Sequence, residues 1–141
     1  MSQEALISAM NDQLSAEYQA IIQYIQYSAI VTGPNRPELA AFFRNEIPDE
    51  ERHAKYLADK IAALGSTPTT TAKAVPHASN PHQMVEYVLE AENKAIAAYT
   101  HLTKLADEMG ELGIRIQMEN FAQDENTHRD EAKKILEGRW Q

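Results

Sequence analysis

Apolar residues recur along this chain at alternating steps of three and four, the spacing that lays one stripe down an α-helix. Four runs carry it: Ile7, Met10, Leu14, Ile21 and Tyr24; Leu39, Phe43, Leu57 and Ile61; Val85, Leu89, Ile96 and Tyr99; and Ile114, Met118, Phe121, Ala132 and Ile135. Gly and Pro, the strongest helix breakers, fall between the runs, Pro48 apart. They bound helices predicted at about 3–31, 36–64, 81–109 and 112–137. Asn35, with Glu38 three residues on, reads as a capping box, and Asn80-Pro81 as a cap followed by proline at the first helical position. The stretch 65–80 holds Pro68, Pro76 and four threonines. It is long enough to run the length of a bundle and deliver the third helix parallel to the second. The pattern therefore predicts an all-α, single-domain four-helix bundle over 1–141, with a long crossover between its second and third helices.

Every seam is interrupted at mid-helix by polar residues: Glu17 in the first, Glu46, Glu50 and His53 in the second, Glu92 in the third, Glu125 and His128 in the fourth. An unpaired buried carboxylate costs several kcal/mol, so these positions must be compensated. They are also repeated. A shift of 75 residues superimposes Glu17-Tyr-Gln-Ala-Ile-Ile-Gln-Tyr24 on Glu92-Asn-Lys-Ala-Ile-Ala-Ala-Tyr99, and Asn45 to His53 on Asn120 to His128, with both Glu-x-x-His elements in register. The chain thus reads as two copies of one helical hairpin facing each other across a pseudo-two-fold axis.

Spacing turns the repeat into chemistry. Glu50 and His53, and likewise Glu125 and His128, are three residues apart and share a helix face. Glu17 and Glu92 add one carboxylate per half. Four carboxylates and two imidazoles form a mixed oxygen and nitrogen donor set suited to two iron or manganese ions and too oxygen-rich for structural zinc. Four negative charges also balance two divalent ions.

Composition narrows the remaining classes. Thirteen basic against twenty-one acidic side chains give a net charge of −8, which repels nucleic acid and anionic membranes. The absence of cysteine excludes disulfide scaffolds, thiolate metal sites and iron–sulfur clusters. No run of 18 apolar residues occurs and the first residues carry no secretory pattern, so a soluble, cytoplasmic protein is expected.

One Glu from each of two helices and a Glu-x-x-His from each of the other two resembles the ferritin-like di-iron carboxylate proteins, bacterioferritins above all, over about residues 3–137. The resemblance implies two irons per chain, manganese being an alternative, with Glu17 and Glu92 as terminal ligands, Glu50 and Glu125 as bridges, and His53 and His128 as one nitrogen ligand each. It implies a redox-active Tyr24 and acidic supporting residues at Asp49 and Asp130. The implied activity is oxidation of Fe(II) by O2 or peroxide for iron storage. A rubrerythrin-like peroxidase or oxidase without storage is the alternative, suited by the symmetric halves and the paired Tyr24 and Tyr99. A homo-oligomer, at least a dimer and at most a shell, is implied as well, with Ile22, Ile25 and Tyr27 expected as exposed residues off the metal seam.

The chain departs from the bacterioferritin pattern at Glu51, where the haem-ligating methionine would stand, so no haem is expected. It also has Asn45 at the inner-surface histidine position. Glu51, Glu86 and Glu90 read as solvated, and His77, His82 and His101 as surface residues. Glu46 reads either as a supporting residue or as a carboxylate on the ion route, and Pro48 as a kink one turn before the ligands.

Overall fold

A computed structural model describes residues 2–138 and 140. Four α-helices account for nearly all of it: α1 (Gln3–Ile30), α2 (Arg36–Ala63), α3 (Pro81–Glu108) and α4 (Leu112–Glu137). The predicted spans agree with these to within a residue at either end. None of the helices is long and apolar enough to cross a membrane.

The helix starts differ in how they are satisfied. Asn80 accepts from the Gln83 amide at 2.8 Å, and the Gln83 side chain accepts from Ser79 N at 2.6 Å, so the start of α3 is closed from both sides. The capping box expected at Asn35 and Glu38 does not form: Asn35 makes no side-chain cap bond. Arg36 takes over that corner, donating to the carbonyls of Val31 at 2.6 Å and Ser28 at 3.2 Å, orphan acceptors at the end of α1. Gly110 turns the chain between α3 and α4 at φ 71°, where a side chain would be strained. Pro48 lies on the exposed side of α2, which runs through it as one helix.

Short connections pair α1 with α2 and α3 with α4, and α1 lies against α3 across the bundle. The crossover follows α1 along much of its length, held by polar residues spaced one or two turns apart on one face. Asn11 accepts from Thr69 N at 2.8 Å, Ser15 donates to the Thr71 carbonyl, Gln19 to Ala74 at 2.6 Å and Tyr27 to Pro76 at 2.8 Å. A segment without secondary structure thereby finds partners for its backbone along a helix face. The same row explains Tyr27, which is fully buried instead of exposed as expected. Ile22 and Ile25 do face solvent.

The core has two apolar clusters separated by a polar layer. One gathers residues such as Leu6, Met10, Leu57, Leu102 and Met118; the other gathers Tyr27, Phe43, Val85, Val88 and Ala132. The true stripe departs slightly from the seam read in the sequence. Leu6 and Val88 are buried where Ile7 and Leu89 are half-buried, and Ile21 and Ile96 also lie on flanks. The stripe of a 3.6-residue helix is wider than one residue, and sequence alone does not say which flank faces in.

Removing the Tyr27 hydroxyl tests the strap directly. Tyr27→Phe leaves the Pro76 carbonyl without its protein donor and should cost about 1 kcal/mol, lowering the midpoint of thermal unfolding by about 4 °C. An unchanged midpoint would show that the crossover is held without it.

Candidate metal centre

The polar layer is built by all four helices. Glu17 comes from α1, Glu50 and His53 from α2, Glu92 from α3, Glu125 and His128 from α4, and all six are buried. Their donor atoms form two overlapping groups, Glu17, Glu50, His53 and Glu125 in one and Glu50, Glu92, Glu125 and His128 in the other. Within each group the atoms lie within 4.8 Å of one another. Glu50 and Glu125 belong to both, the position of bridging carboxylates between two ions.

Each of the six residues also holds one buried atom with no hydrogen-bond partner: an oxygen of Glu17, Glu50, Glu92 and Glu125, and Nδ1 of His53 and His128. Native interiors rarely leave such atoms orphaned. Six in one layer, all of metal-ligating type and one per residue, are the signature of a donor set shaped for cations. The residues fit a dinuclear oxygen and nitrogen site.

The opposite edges of the same groups are tied down. Tyr99 donates to Glu17 Oε1 at 2.6 Å, Gln13 donates to the same oxygen at 2.9 Å, and Tyr24 donates to Glu92 Oε1. His53 Nε2 meets Asp124 Oδ2 at 2.9 Å, and His128 Nε2 meets Asp49 Oδ2 at 2.9 Å. A carboxylate on Nε2 fixes the ring and leaves Nδ1 as the free donor facing the layer. Arg52 joins the two aspartates at the surface, 2.8 Å from Asp124 and 3.2 Å from Asp49. The tyrosine–glutamate and histidine–aspartate links all cross the pseudo-two-fold, so each half orients donor residues of the other.

This corrects one residue inferred from the family pattern. Asp130 is exposed and, among the described residues, pairs only with its neighbour Arg129. The supporting residue on α4 is Asp124, which occupies the place of Asp49 under the 75-residue shift, a signal already present in the repeat. Glu46, left open by the sequence, lies 2.6 Å from His128 Nε2. Gln13 was missed because the repeat gives it no counterpart: Val88 stands at the equivalent position. Glu51, Glu86, Glu90, His77 and His101 are exposed, and His82 pairs with Glu86 near the surface.

The halves also differ beside the two histidines. Phe121 stacks on His53 with centroids 4.1 Å apart, while its counterpart Glu46 brings a carboxylate to His128. His53 is 0% exposed and His128 5%.

Electrostatics follows from crowding these groups. Burial, and then the charge of Glu17, push Glu50 well above the ordinary carboxylate range. Burial does the same to Glu125, helped by Glu50 and Glu92. Burial also works against an ionised Glu17, but the neighbouring His53 and Glu50 outweigh it and bring its pKa down. For His128 burial opposes the charge, yet Glu46, Glu50 and Glu92 raise its pKa strongly. Tyr24 and Tyr99 are held up by burial and by the facing Glu92 and Glu17 respectively, so both remain protonated.

Fold and site together define a class: a four-helix bundle whose interior is arranged around a dinuclear carboxylate–histidine donor set. Comparison with known proteins agrees. The model of the ferritin-like domain matches residues 7–138, and the chain belongs to the ferritin family. A ferritin-like di-iron-carboxylate protein from Bacillus anthracis is 37% identical in sequence and superimposes with a TM-score of 0.94 over 96% of this chain and 99% of its own. The bacterioferritin of Desulfovibrio desulfuricans is 29% identical over 130 residues, 87% of this chain and 69% of the relative. That of Streptomyces coelicolor is 38% identical over 63 residues, 45% of this chain and 38% of its own length.

Two outcomes are expected of the site itself. Asp124→Asn should weaken metal binding about tenfold or more in a chelator competition, whereas Asp130→Asn should leave it unchanged; the reverse order would restore the family-pattern assignment. The second concerns pH. Glu50 and Glu125 have raised folded pKa values, so their stability contribution is complete below their ordinary value of 4.5 and is lost as pH rises through the folded values. His128, also raised, acts in the same direction above its ordinary 6.5. Protein stripped of metal should therefore melt at progressively lower temperature from about pH 5 upward, and added divalent metal should remove the dependence. A melting temperature that rises with pH without metal would contradict the electrostatics above.

Proposed function

We propose that this chain is a ferroxidase that takes up two Fe(II) ions, oxidises them with O2 or peroxide and passes Fe(III) on for storage. The six buried, unpartnered donor atoms carry this reading. Four carboxylates offset two divalent charges, and an interior that is unfavourable when the carboxylates stand ionised and alone becomes neutral when both ions enter. Iron supplies the one-electron redox chemistry; the protein supplies position and charge. Manganese suits the same donors, and which metal is used in the cell belongs to the same question. Tyr24 is assigned as an electron relay: its hydroxyl already donates to Glu92, so a proton released on its oxidation has an acceptor in place.

The reading includes no haem, since Glu51 is exposed on α2 and offers no thioether. It includes a cytoplasmic location and a homo-oligomer of at least two chains, extending to a shell. Ile22, Ile25 and Ile30 expose 49%, 54% and 46% of their surface on α1, and contact between copies would cover them. Nucleic acid and membrane are not expected partners of a chain with net charge −8.

One observation favours a second reading, a rubrerythrin-like peroxidase or oxidase without storage. The two tyrosines are placed symmetrically, Tyr24 on Glu92 and Tyr99 on Glu17, so either can serve one ion of the pair. Sedimentation separates the readings: a hollow shell supports storage, and an isolated dimer supports the second.

Substitution tests the ligand set. Glu92→Ala removes one carboxylate, leaves positive charge with both ions bound, and should weaken the second metal and slow Fe(II) oxidation at least about a hundredfold. Glu86→Ala, on the exposed face of the same helix, should change neither. Metal analysis and stopped-flow oxidation are read together, with about two irons per chain expected for the unmodified protein. Normal oxidation by Glu92→Ala would sink the assignment.

A further inference from the structure

The two histidines of the polar layer are braced unequally. His128 Nε2 meets two carboxylates, Glu46 at 2.6 Å and Asp49 at 2.9 Å. Among the described residues His53 Nε2 meets one, Asp124 at 2.9 Å, because Phe121 stands where the repeat would place a second glutamate. Arg52 is built around that gap. Its Nη2 donates to Asp124 Oδ2 at 2.8 Å, the same oxygen that meets His53. Its guanidinium lies 5.7 Å from the centroid of Phe121, the ring stacked on His53 at 4.1 Å. One side chain thus bears on Asp124 and on Phe121 at once. The longer contact of the same nitrogen, 3.2 Å to Asp49, serves a histidine that already has Glu46. The repeat gives Arg52 no counterpart: Thr127 stands at the equivalent position.

We propose that Arg52 is a positioning residue for the metal ion held through His53, acting by way of Asp124 and Phe121 and leaving the ion at His128 to Glu46 and Asp49. The proposal rests on the reading of the layer as a two-metal site. Charge alone argues for the opposite effect: a guanidinium beside two divalent ions repels them, so a substitution that removes it would tighten both. Positioning works otherwise. A carboxylate on Nε2 sets the imidazole plane and keeps Nδ1 turned to the layer, and a carboxylate that is itself 30% exposed shares its oxygens with water unless something holds it. Arg52 supplies that hold. Arginine suits both contacts, its donors reaching the carboxylate while the flat guanidinium covers an aromatic ring. At 52% exposure of the Arg52 side chain the ion pair itself adds little to folding. Its effect falls on the direction of one donor atom.

The probe is Co(II), which suits an oxygen and nitrogen donor set, titrated into metal-free full-length protein by calorimetry with its visible absorption recorded at each step. About two ions per chain are expected for the parent. Arg52→Gln should weaken one of them about fivefold, leave the other unchanged, and alter the visible bands of the weakened ion alone. Arg52→Lys should recover part of the loss. In double-mutant cycles the loss should vanish in the Asp124→Asn background, where the link from Arg52 to His53 is already broken, and persist in Glu46→Gln, whose own effect falls on the other ion. Circular dichroism and the unfolding midpoint of the metal-free protein should stay close to those of the parent. Tighter or unchanged binding of both ions, equal weakening of both, or the full further loss in the Asp124→Asn background overturns the proposal and leaves the two-metal reading intact. A parent that binds no Co(II) overturns both. Should Arg52→Gln fold poorly, Arg52→Met, which keeps an apolar stem over Phe121, is read by the same criteria.

Discussion

Four carboxylates buried in one layer of a helical bundle are the constraint from which the rest of this structure follows. Each would cost several kcal/mol if ionised and unpaired in the interior, and a chain of this size has little stability to spare. The fold answers by splitting its apolar core into two clusters, one on each side of the layer. Packing on both sides holds the four helices together around the layer. What the clusters provide in burial, the layer consumes in desolvation, and divalent cations bound there would restore the balance.

Rigidity alone would not aim six ligands. Aim comes from links that cross the pseudo-two-fold: tyrosine to the opposite glutamate, histidine to the opposite aspartate, and Arg52 between the two aspartates. Because each half positions the ligands of the other, neither hairpin forms its half of the site alone. The crossover has a parallel task on the outside. Its row of bonds to α1 carries an irregular segment across the open face of the bundle without stranding its backbone groups. The segment also lines a cavity between α1 and α3 that reaches the polar layer.

Much of this was legible in the sequence, for definable reasons. Glycine and proline mark helix ends by backbone geometry alone, so the four spans were readable to within a residue. The six residues of the polar layer were readable because two copies of Glu-x-x-His recur at one offset, each with its partner glutamate. What failed depended on contacts between distant segments. Tyr27 looked like a surface residue because nothing local reveals that the crossover passes over it. Asn35 and Glu38 have the spacing of a capping box, but Arg36 competes for the same corner through carbonyls of another helix. Asp130 was taken from a family pattern although the internal repeat pointed to Asp124, and the geometry sides with the repeat.

The repeat is most informative where it breaks. Symmetric positions hold the six ligands, the two tyrosines and the two aspartates, which are the groups that any dinuclear site of this kind must fix. Departures cluster just outside them: Phe121 against Glu46, Val88 against Gln13, Ala98 against Gln23. The first pair makes the surroundings of the two histidines chemically unequal, an aromatic ring closing over His53 and a carboxylate meeting His128. The second gives Glu17 an amide donor that Glu92 lacks. Two ions held by these equivalent donors would therefore experience different fields, because the neighbouring residues, and not the donor set, carry the asymmetry.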